Sequence, residues 1–250
     1  MKKLIVFISI VFSWISYSQS SDDLFSEANG LYKIEAYNKA IDLYVSIEEQ
    51  GLESSDLFFN LGNCYYKLNK VAPSIYYYEK ALKINPLNND AKTNLTFAKR
   101  MTIDKIDDLP KTFLQRISEN IIQKLPYDTW AIIAIIASFL ASILFLVYRY
   151  SYATSKKLLY FNSTILSVVV LILSVIFAFK NYDIAQKDRT AIIFAPKTEI
   201  KNAPTKGSDD VFELHEGTKV LILDDLDDWK KIKLSDGKIG WLPAEDLKEI

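Results

Sequence analysis

The residues able to do acid–base, nucleophilic or metal chemistry are few and scattered. The chain has one histidine, His215, and one cysteine, Cys64. A zinc or iron site built on clustered imidazoles has no second ring to use. An internal disulfide or a Cys-rich metal site is excluded by the count alone. Most nucleophile–base pairs lose their usual base, because His215 lies beside the turn residues Glu216-Gly217. Asp224, Asp225, Asp227 and Asp228 lie close together, but their spacing is not that of a calcium loop, and they read as a solvated turn. No catalytic residue, metal ligand or cofactor is therefore expected, and the chemistry left to the chain is recognition. Lys and Arg total 30 against 31 Asp and Glu, and this balance argues against a nucleic-acid partner, which calls for a basic surface.

The elements that must carry such recognition are marked first by hydropathy. Half of the residues are hydrophobic, concentrated in three blocks. Lys2 and Lys3 precede a short apolar run, and Ser16-Tyr17-Ser18 follows it. That order predicts a secretory signal peptide over residues 1–18, with an uncleaved N-terminal anchor as the alternative. Residues 129–148 and 158–179 are two runs without an ionisable Asp, Glu, Lys, Arg or His, each long enough to cross a hydrocarbon core. An uncharged pair reads as an anchor in the bilayer, not as an ion path. Ser167 and Ser174 mark a candidate packing face. The link 149–157 carries Arg149, Lys156 and Lys157, which predicts a cytoplasmic loop. With an exported N-terminus, this makes a multi-pass membrane protein with both soluble ends on the exported side. Phe113, Leu114, Ile117, Ile121, Ile122 and Leu125 form one stripe at helical spacing over residues 111–125. This is an amphipathic helix, either interfacial or packed on the preceding helices.

Between the signal and that stripe the sequence repeats itself. Leu24 pairs with Phe58, Ala28 with Gly62, Tyr32 with Tyr66, Ala40 with Ser74, Ile41 with Ile75 and Tyr44 with Tyr78. Asn60-Leu61 recurs as Asn94-Leu95, and every pair is 34 positions apart (58 − 24 = 34). Small residues at positions 28, 62, 40 and 74 let paired helices approach, and large ones at 24, 58, 44 and 78 fill the space between pairs. The pattern resembles the tetratricopeptide (TPR) repeat. It predicts a module over 21–101, with repeats at 21–54 and 55–88 and a capping helix at 90–101. Leu61, Gly62, Tyr65, Tyr78, Ala81 and Pro86 fit the pattern, whereas Glu27 and Leu52 depart from it. Two repeats and a cap are short of the usual three, so the module is expected to lean on something else. The resemblance implies a concave partner-binding face lined by Phe25, Asn29, Tyr32, Lys33, Phe59, Asn60, Asn63, Tyr66 and Lys67. The same positions are also compatible with ordinary exposed helix residues. Asn29 and Asn60 fit a carboxylate-capturing clamp, but Phe25 and Asp90 stand where that clamp has lysine. Cys64 reads as a small buried hydrophobe.

The last stretch changes to short strands at 190–194, 219–223, 229–234 and 238–242, with turns at Glu216-Gly217 and Asp236-Gly237. Residues 186–250 resemble a bacterial SH3-like domain through Phe212-Glu213-Leu214-His215-Glu216-Gly217-Thr218, Asp228-Trp229 and Gly240-Trp241. That resemblance makes Trp229, Trp241 and Pro243 candidate ligand-binding residues, with core packing as the alternative for either tryptophan.

The expected fold is thus a multidomain membrane protein. It joins an all-α TPR module, a two-helix transmembrane hairpin and a small all-β SH3-like barrel. Taken in order, with Asn60-Leu61-Gly62-Asn63-Cys64-Tyr65-Tyr66-Lys67-Leu68, Tyr77-Tyr78-Glu79-Lys80-Ala81-Leu82, Glu216-Gly217 and Gly240-Trp241, the chain resembles the BatE family of aerotolerance-operon proteins. The resemblance implies a non-enzymatic scaffold working beside von Willebrand A-domain membrane proteins and a MoxR-type ATPase. A second reading is a cell-wall sensor whose SH3-like domain binds peptidoglycan peptides.

Overall fold

The computed structural model describes residues 21–187 and 189–250; the expected signal segment 1–18 lies outside them. The described chain forms two compact units. One contains the N-terminal helices and the C-terminal sheet, and the other contains the two apolar helices.

The first unit begins with five helices: α1 (21–33), α2 (Tyr37–Glu49), α3 (Ser55–Lys67), α4 (Val71–Ile84) and α5 (Asn89–Lys99). Ser54 caps α3 by accepting from the Leu57 amide, and Asn88 caps α5 by accepting from the Ala91 amide. The turns within the two repeats are built alike. Glu35 and Asn69 have φ of 61° and 57°, and each turn closes with the same pair of bonds. Ala36 N donates to Leu31 O and Glu35 N to Tyr32 O; Lys70 N donates to Tyr65 O and Asn69 N to Tyr66 O. This is a Schellman closure, 34 residues apart. The core holds Ala28, Ala40, Tyr44, Phe58, Leu61, Cys64, Ile75, Tyr78 and Ala81, all fully buried. A Cβ on Gly62 would lie 2.6 Å from the Tyr78 ring, so the α3–α4 approach requires glycine there.

Seven strands follow: β1 (Thr190–Ile193), β2 (Lys197–Lys201), β3 (Asp210–His215), β4 (Lys219–Leu226), β5 (Trp229–Lys233), β6 (Ile239–Pro243) and β7 (Leu247–Glu249). They make one sheet in the order β3-β2-β6-β5-β4-β1-β7, with every pair antiparallel. Asp227-Asp228 closes the β4–β5 hairpin, with Asp227 at φ 50°. Gly237, at φ 93°, closes β5–β6. The strands at 197–201, 210–215 and 247–249 were not apparent as apolar runs, because at least half of their residues are charged or face water.

The sheet docks on α4. Strand β1 is buried on both faces: Ala191 and Ile193 enter the sheet core, while Ile192 enters the core of the helices. Tyr76 meets Phe194 edge to face at 5.7 Å, and Lys248 Nζ lies 4.6 Å from the Tyr76 ring centre. Gly217, at φ 86°, brings its turn so close that a Cβ would lie 2.9 Å from Thr102 and 3.0 Å from Val71. Polar contacts flank this apolar centre. The buried Glu79 carboxylate takes Lys99 Nζ at 2.9 Å and Lys219 Nζ at 2.7 Å. Asp104 accepts from the His215 amide at 2.6 Å and from Thr218 Oγ1 at 2.7 Å, and contacts His215 Nδ1 at 2.8 Å. The two-repeat array therefore leans on the sheet.

In the second unit, α6 (Phe113–Ile117) runs into one π-helical turn (Ser118–Ile122) before α7 (Tyr127–Tyr150) and α8 (Thr154–Lys187). Ile122 packs inward, and its carbonyl accepts from Trp130 Nε1 at 2.9 Å. Helices α7 and α8 are each long and apolar enough to cross a membrane, with rises of about 36 and 51 Å at 1.5 Å per residue. Their burial is inverted relative to a water-soluble pair. Ala134, Ala137 and Ala141 of α7 and Ser167 and Ser174 of α8 are buried, while Ile132, Ile136, Phe139, Leu166 and Ile172 are exposed. Ser167 Oγ donates to the Ala137 carbonyl at 2.9 Å. Small residues thus make the contact and large apolar ones face outward, an arrangement suited to a lipid surround. Trp130 stacks edge to face on Phe177, and Tyr127 on Tyr182.

Three outcomes are expected. Gly62→Ala forces Tyr78 to move and lowers unfolding stability by about 1–3 kcal/mol, read by denaturant titration. Glu35→Gly relieves a left-handed backbone and raises stability by about 0.5–1 kcal/mol. The third concerns pH. Burial raises the Glu79 pKa, but Lys219 and Lys99 outweigh it and hold the carboxyl below its ordinary value. Burial acts likewise on Asp104 and is outweighed by the bonds from Thr218 and His215. Because both native values are depressed, their stabilisation is present above the ordinary carboxylate range of about 4 and is lost as pH falls through the native values. Tryptophan fluorescence and limited proteolysis should show the sheet leaving α4 in that acid window. Glu79→Gln with Asp104→Asn should flatten the response.

Candidate partner-binding face

Helices α1, α3 and α5 are the first helices of the two repeats and the closing helix, and they carry a hydrogen-bonded ladder. Asn29 Oδ1 accepts from Tyr44 OH at 2.6 Å and from Asn60 Nδ2 at 2.9 Å. One repeat later, Asn63 Oδ1 accepts from Tyr78 OH and from Asn94 Nδ2, both at 2.7 Å. Each bond is the 34-residue copy of its counterpart. Tyr44 and Tyr78 rise from the fully buried core beneath, so the core fixes the asparagine rotamers. Among the described residues, Asn29 Nδ2 and Asn63 Nδ2 donate to nothing, and Asn60 Oδ1 and Asn94 Oδ1 accept from nothing. No buried side-chain N or O among the described residues is left without a partner, so these four atoms are open to solvent. Each helix junction offers one free amide donor and one free acceptor, the complement of a peptide group.

Aromatic rings flank the ladder. Phe25, Tyr32, Phe59 and Tyr66 are half-buried and packed on the helical core. Phe25 meets Tyr44 edge to face at 5.7 Å, and Phe59 meets Tyr78 at 6.2 Å. Lys33 and Lys67 are exposed at the ends of their helices. All nine residues expected on this face lie on α1 and α3, outside the α4 contact with the sheet.

Asn94 and Phe97 on α5 extend the face and were missed as site residues. Their signal was present in the recurrence of Asn60-Leu61 as Asn94-Leu95. Phe97 is exposed, with the Arg100 guanidinium 5.2 Å from its ring centre. Cys64 is fully buried, and burial pushes its thiol up to about 12, so it carries no thiolate at neutral pH.

Residues 55–88 match the tetratricopeptide repeat. The match covers α3 and α4, the helix pair that holds the Gly62–Tyr78 approach and half of the ladder. No curated protein matches the chain. The repeat assigns a protein-interaction module to this part of the molecule, and α3 is the helix shared by the match and the ladder.

On the sheet, the register sets Trp229 opposite Pro243 and Lys231 opposite Trp241, with Lys201 beside Trp241 on the next strand. The three expected residues therefore share one face. Trp229, Trp241 and Pro243 are half-buried, and Lys231 Nζ lies 5.7 Å from a Trp241 ring. Lys197, Thr198, Glu199, Lys201, Pro243 and Asp246 line a shallow groove of about 410 Å³ beside them. His215, Asp104 and Thr218 lie together in the α4–sheet junction, where His215 has a structural partner.

Burial pushes the Tyr44 and Tyr78 hydroxyls well above the ordinary phenol range. A raised native value means that stability is complete below the unfolded value of about 10 and is lost as pH rises above it. Alkaline titration followed by circular dichroism should show the helices melting above about pH 10. Tyr44→Phe with Tyr78→Phe should move the transition to higher pH, at the cost of a looser ladder at neutral pH.

Proposed function

We propose that the protein is a membrane-anchored interaction scaffold, acting by binding and without catalysis. The ladder carries this reading. Two identical sets of free amide donors and acceptors, held by buried tyrosines and flanked by aromatic rings, suit a polypeptide backbone laid across α1, α3 and α5. Helices α7 and α8 supply the anchor.

In this reading the hairpin crosses an inner membrane twice and both soluble parts work in the periplasm. Support comes from connectivity: residues 21–84, 88–108 and 190–250 belong to one folded unit, although α7 and α8 lie between the helices and the sheet in sequence. Two segments that fold together must lie on the same side of a bilayer, which requires an even number of crossings between them. Arg149, Lys156 and Lys157 between the helices support a cytoplasmic turn. The sheet is read as an SH3-like module, with Trp229, Trp241 and Pro243 taking a second ligand. The resemblance to the BatE family makes von Willebrand A-domain membrane proteins and a MoxR-type ATPase the proposed partners, in an aerotolerance complex. The shared face of Trp229, Trp241 and Pro243 favours peptidoglycan peptides as an alternative second ligand.

A photocrosslinking side chain at Tyr66 in intact cells should capture a defined protein, and the same probe at Asn38, outside the proposed face, should not. Capture of lipid alone at Tyr66 would refute the partner-binding face. Retention of the full chain on purified sacculi, lost with Trp241→Ala, would favour the cell-wall ligand.

A further inference from the structure

The charges bordering the ladder also repeat. Asp22, Asp56 and Asp90 occupy equivalent positions in the first turns of α1, α3 and α5, 34 residues apart. Lys33 and Lys67 occupy equivalent positions at the other ends of α1 and α3. All five side chains are exposed, and none has an ion pair or hydrogen bond among the described residues. Steps of three and four residues put Asp22, Phe25, Asn29 and Lys33 on one helix face, and likewise Asp56, Phe59, Asn60, Asn63 and Lys67. The face is thus banded: an acidic row, an aromatic row, the amide ladder, a tyrosine row and a basic row. First-turn aspartates and last-turn lysines also complement the helix dipoles, but that role leaves their outward field available to a ligand.

This inference rests on the reading of the ladder as a backbone-binding site and names what it binds. We infer that the occupant is an extended polypeptide segment whose side chains alternate in charge. Its basic residues face Asp22, Asp56 and Asp90, and its acidic residues face Lys33 and Lys67. Three facts converge on this. The free Asn29 and Asn63 amide donors and the free Asn60 and Asn94 acceptors engage a main chain, whose own N–H and C=O are unpaired only when it is extended. An extended chain sends successive side chains to opposite sides. The two sides of this ladder have opposite charge. Neighbouring helices spaced about 10 Å apart match about three residues of extended chain at about 3.3 Å each, so crossing three helices takes a segment of about six to seven residues. A uniformly acidic segment would meet the aspartate row with repulsion, and a uniformly basic one would meet the lysine row likewise.

The test uses the full chain in detergent and three capped, fluorescent nine-residue peptides. Two contain three glutamates, three lysines and three leucines, one with charges alternating and the other with charges in two blocks. The third replaces the charged residues with serine. Fluorescence anisotropy should show the alternating peptide binding about fivefold tighter than the block peptide, the scale of a few exposed ion pairs. Lys33→Glu with Lys67→Glu should weaken the alternating peptide about tenfold, while changing the serine peptide's affinity less than about twofold and lowering the thermal transition by only a few degrees, the scale of the lost helix-dipole complement. Equal affinity for alternating and block peptides, or indifference to the double reversal, overturns the charge assignment while the backbone-binding reading stands. No binding of any of the three, including the serine peptide, overturns both.

Discussion

The contact between α4 and the sheet is the constraint on which the rest of the soluble unit depends. Ile192 inserts into the core of the helices, while its strand neighbours Ala191 and Ile193 complete the core of the sheet. Neither core is closed without that strand. Around it, Glu79 gathers Lys99 and Lys219, and Asp104 gathers His215 and Thr218. A buried carboxylate left alone is costly; Glu79 is compensated by Lys99 from the helices and Lys219 from the sheet, and Asp104, on the segment after α5, by His215 and Thr218 of the β3–β4 connection. Two repeats and a closing helix are too few to bury a helical stack by themselves, and the sheet supplies the missing surface.

This division of labour leaves one side of the stack free. Helix α4 faces the sheet, while α1, α3 and α5 present the asparagine ladder. The anchoring of that ladder is internal, since the tyrosine hydroxyls that orient Asn29 and Asn63 rise from the core. The ladder is therefore pre-organised: its amides are already ordered by the core beneath them.

Much of the helical part was legible because the 34-residue period writes each structural requirement twice. Gly62 under Tyr78, the paired left-handed turns at Glu35 and Asn69, and the ladder all obey that offset. The two apolar helices were legible from length and the absence of charge. The sheet was only partly so: Asp236-Gly237 and the apolar runs marked β1, β4, β5 and β6, but β2, β3 and β7 are short and mix charged or exposed residues with few buried ones. The docking of the sheet on α4 was not legible, because its partners are distant in sequence; Asp104 and His215 are 111 positions apart. One local signal did exist. The run Ala191-Ile192-Ile193 is apolar without alternation, as expected of a strand covered on both faces. Asn94 was missed as part of the ladder because its helix was read as a cap, not as a third turn of the same hydrogen-bonded row.

The claim that the helices and the sheet form one body is tested most directly by a double-mutant cycle between Glu79 and Lys219 in the full chain, using Glu79→Gln and Lys219→Met and reading stability by denaturant unfolding. The expected result is a single cooperative transition and a coupling energy of about 1 kcal/mol, as befits a buried carboxylate paired with a partly exposed lysine. Additive effects with no coupling, or two separate transitions in the parent protein, would contradict it.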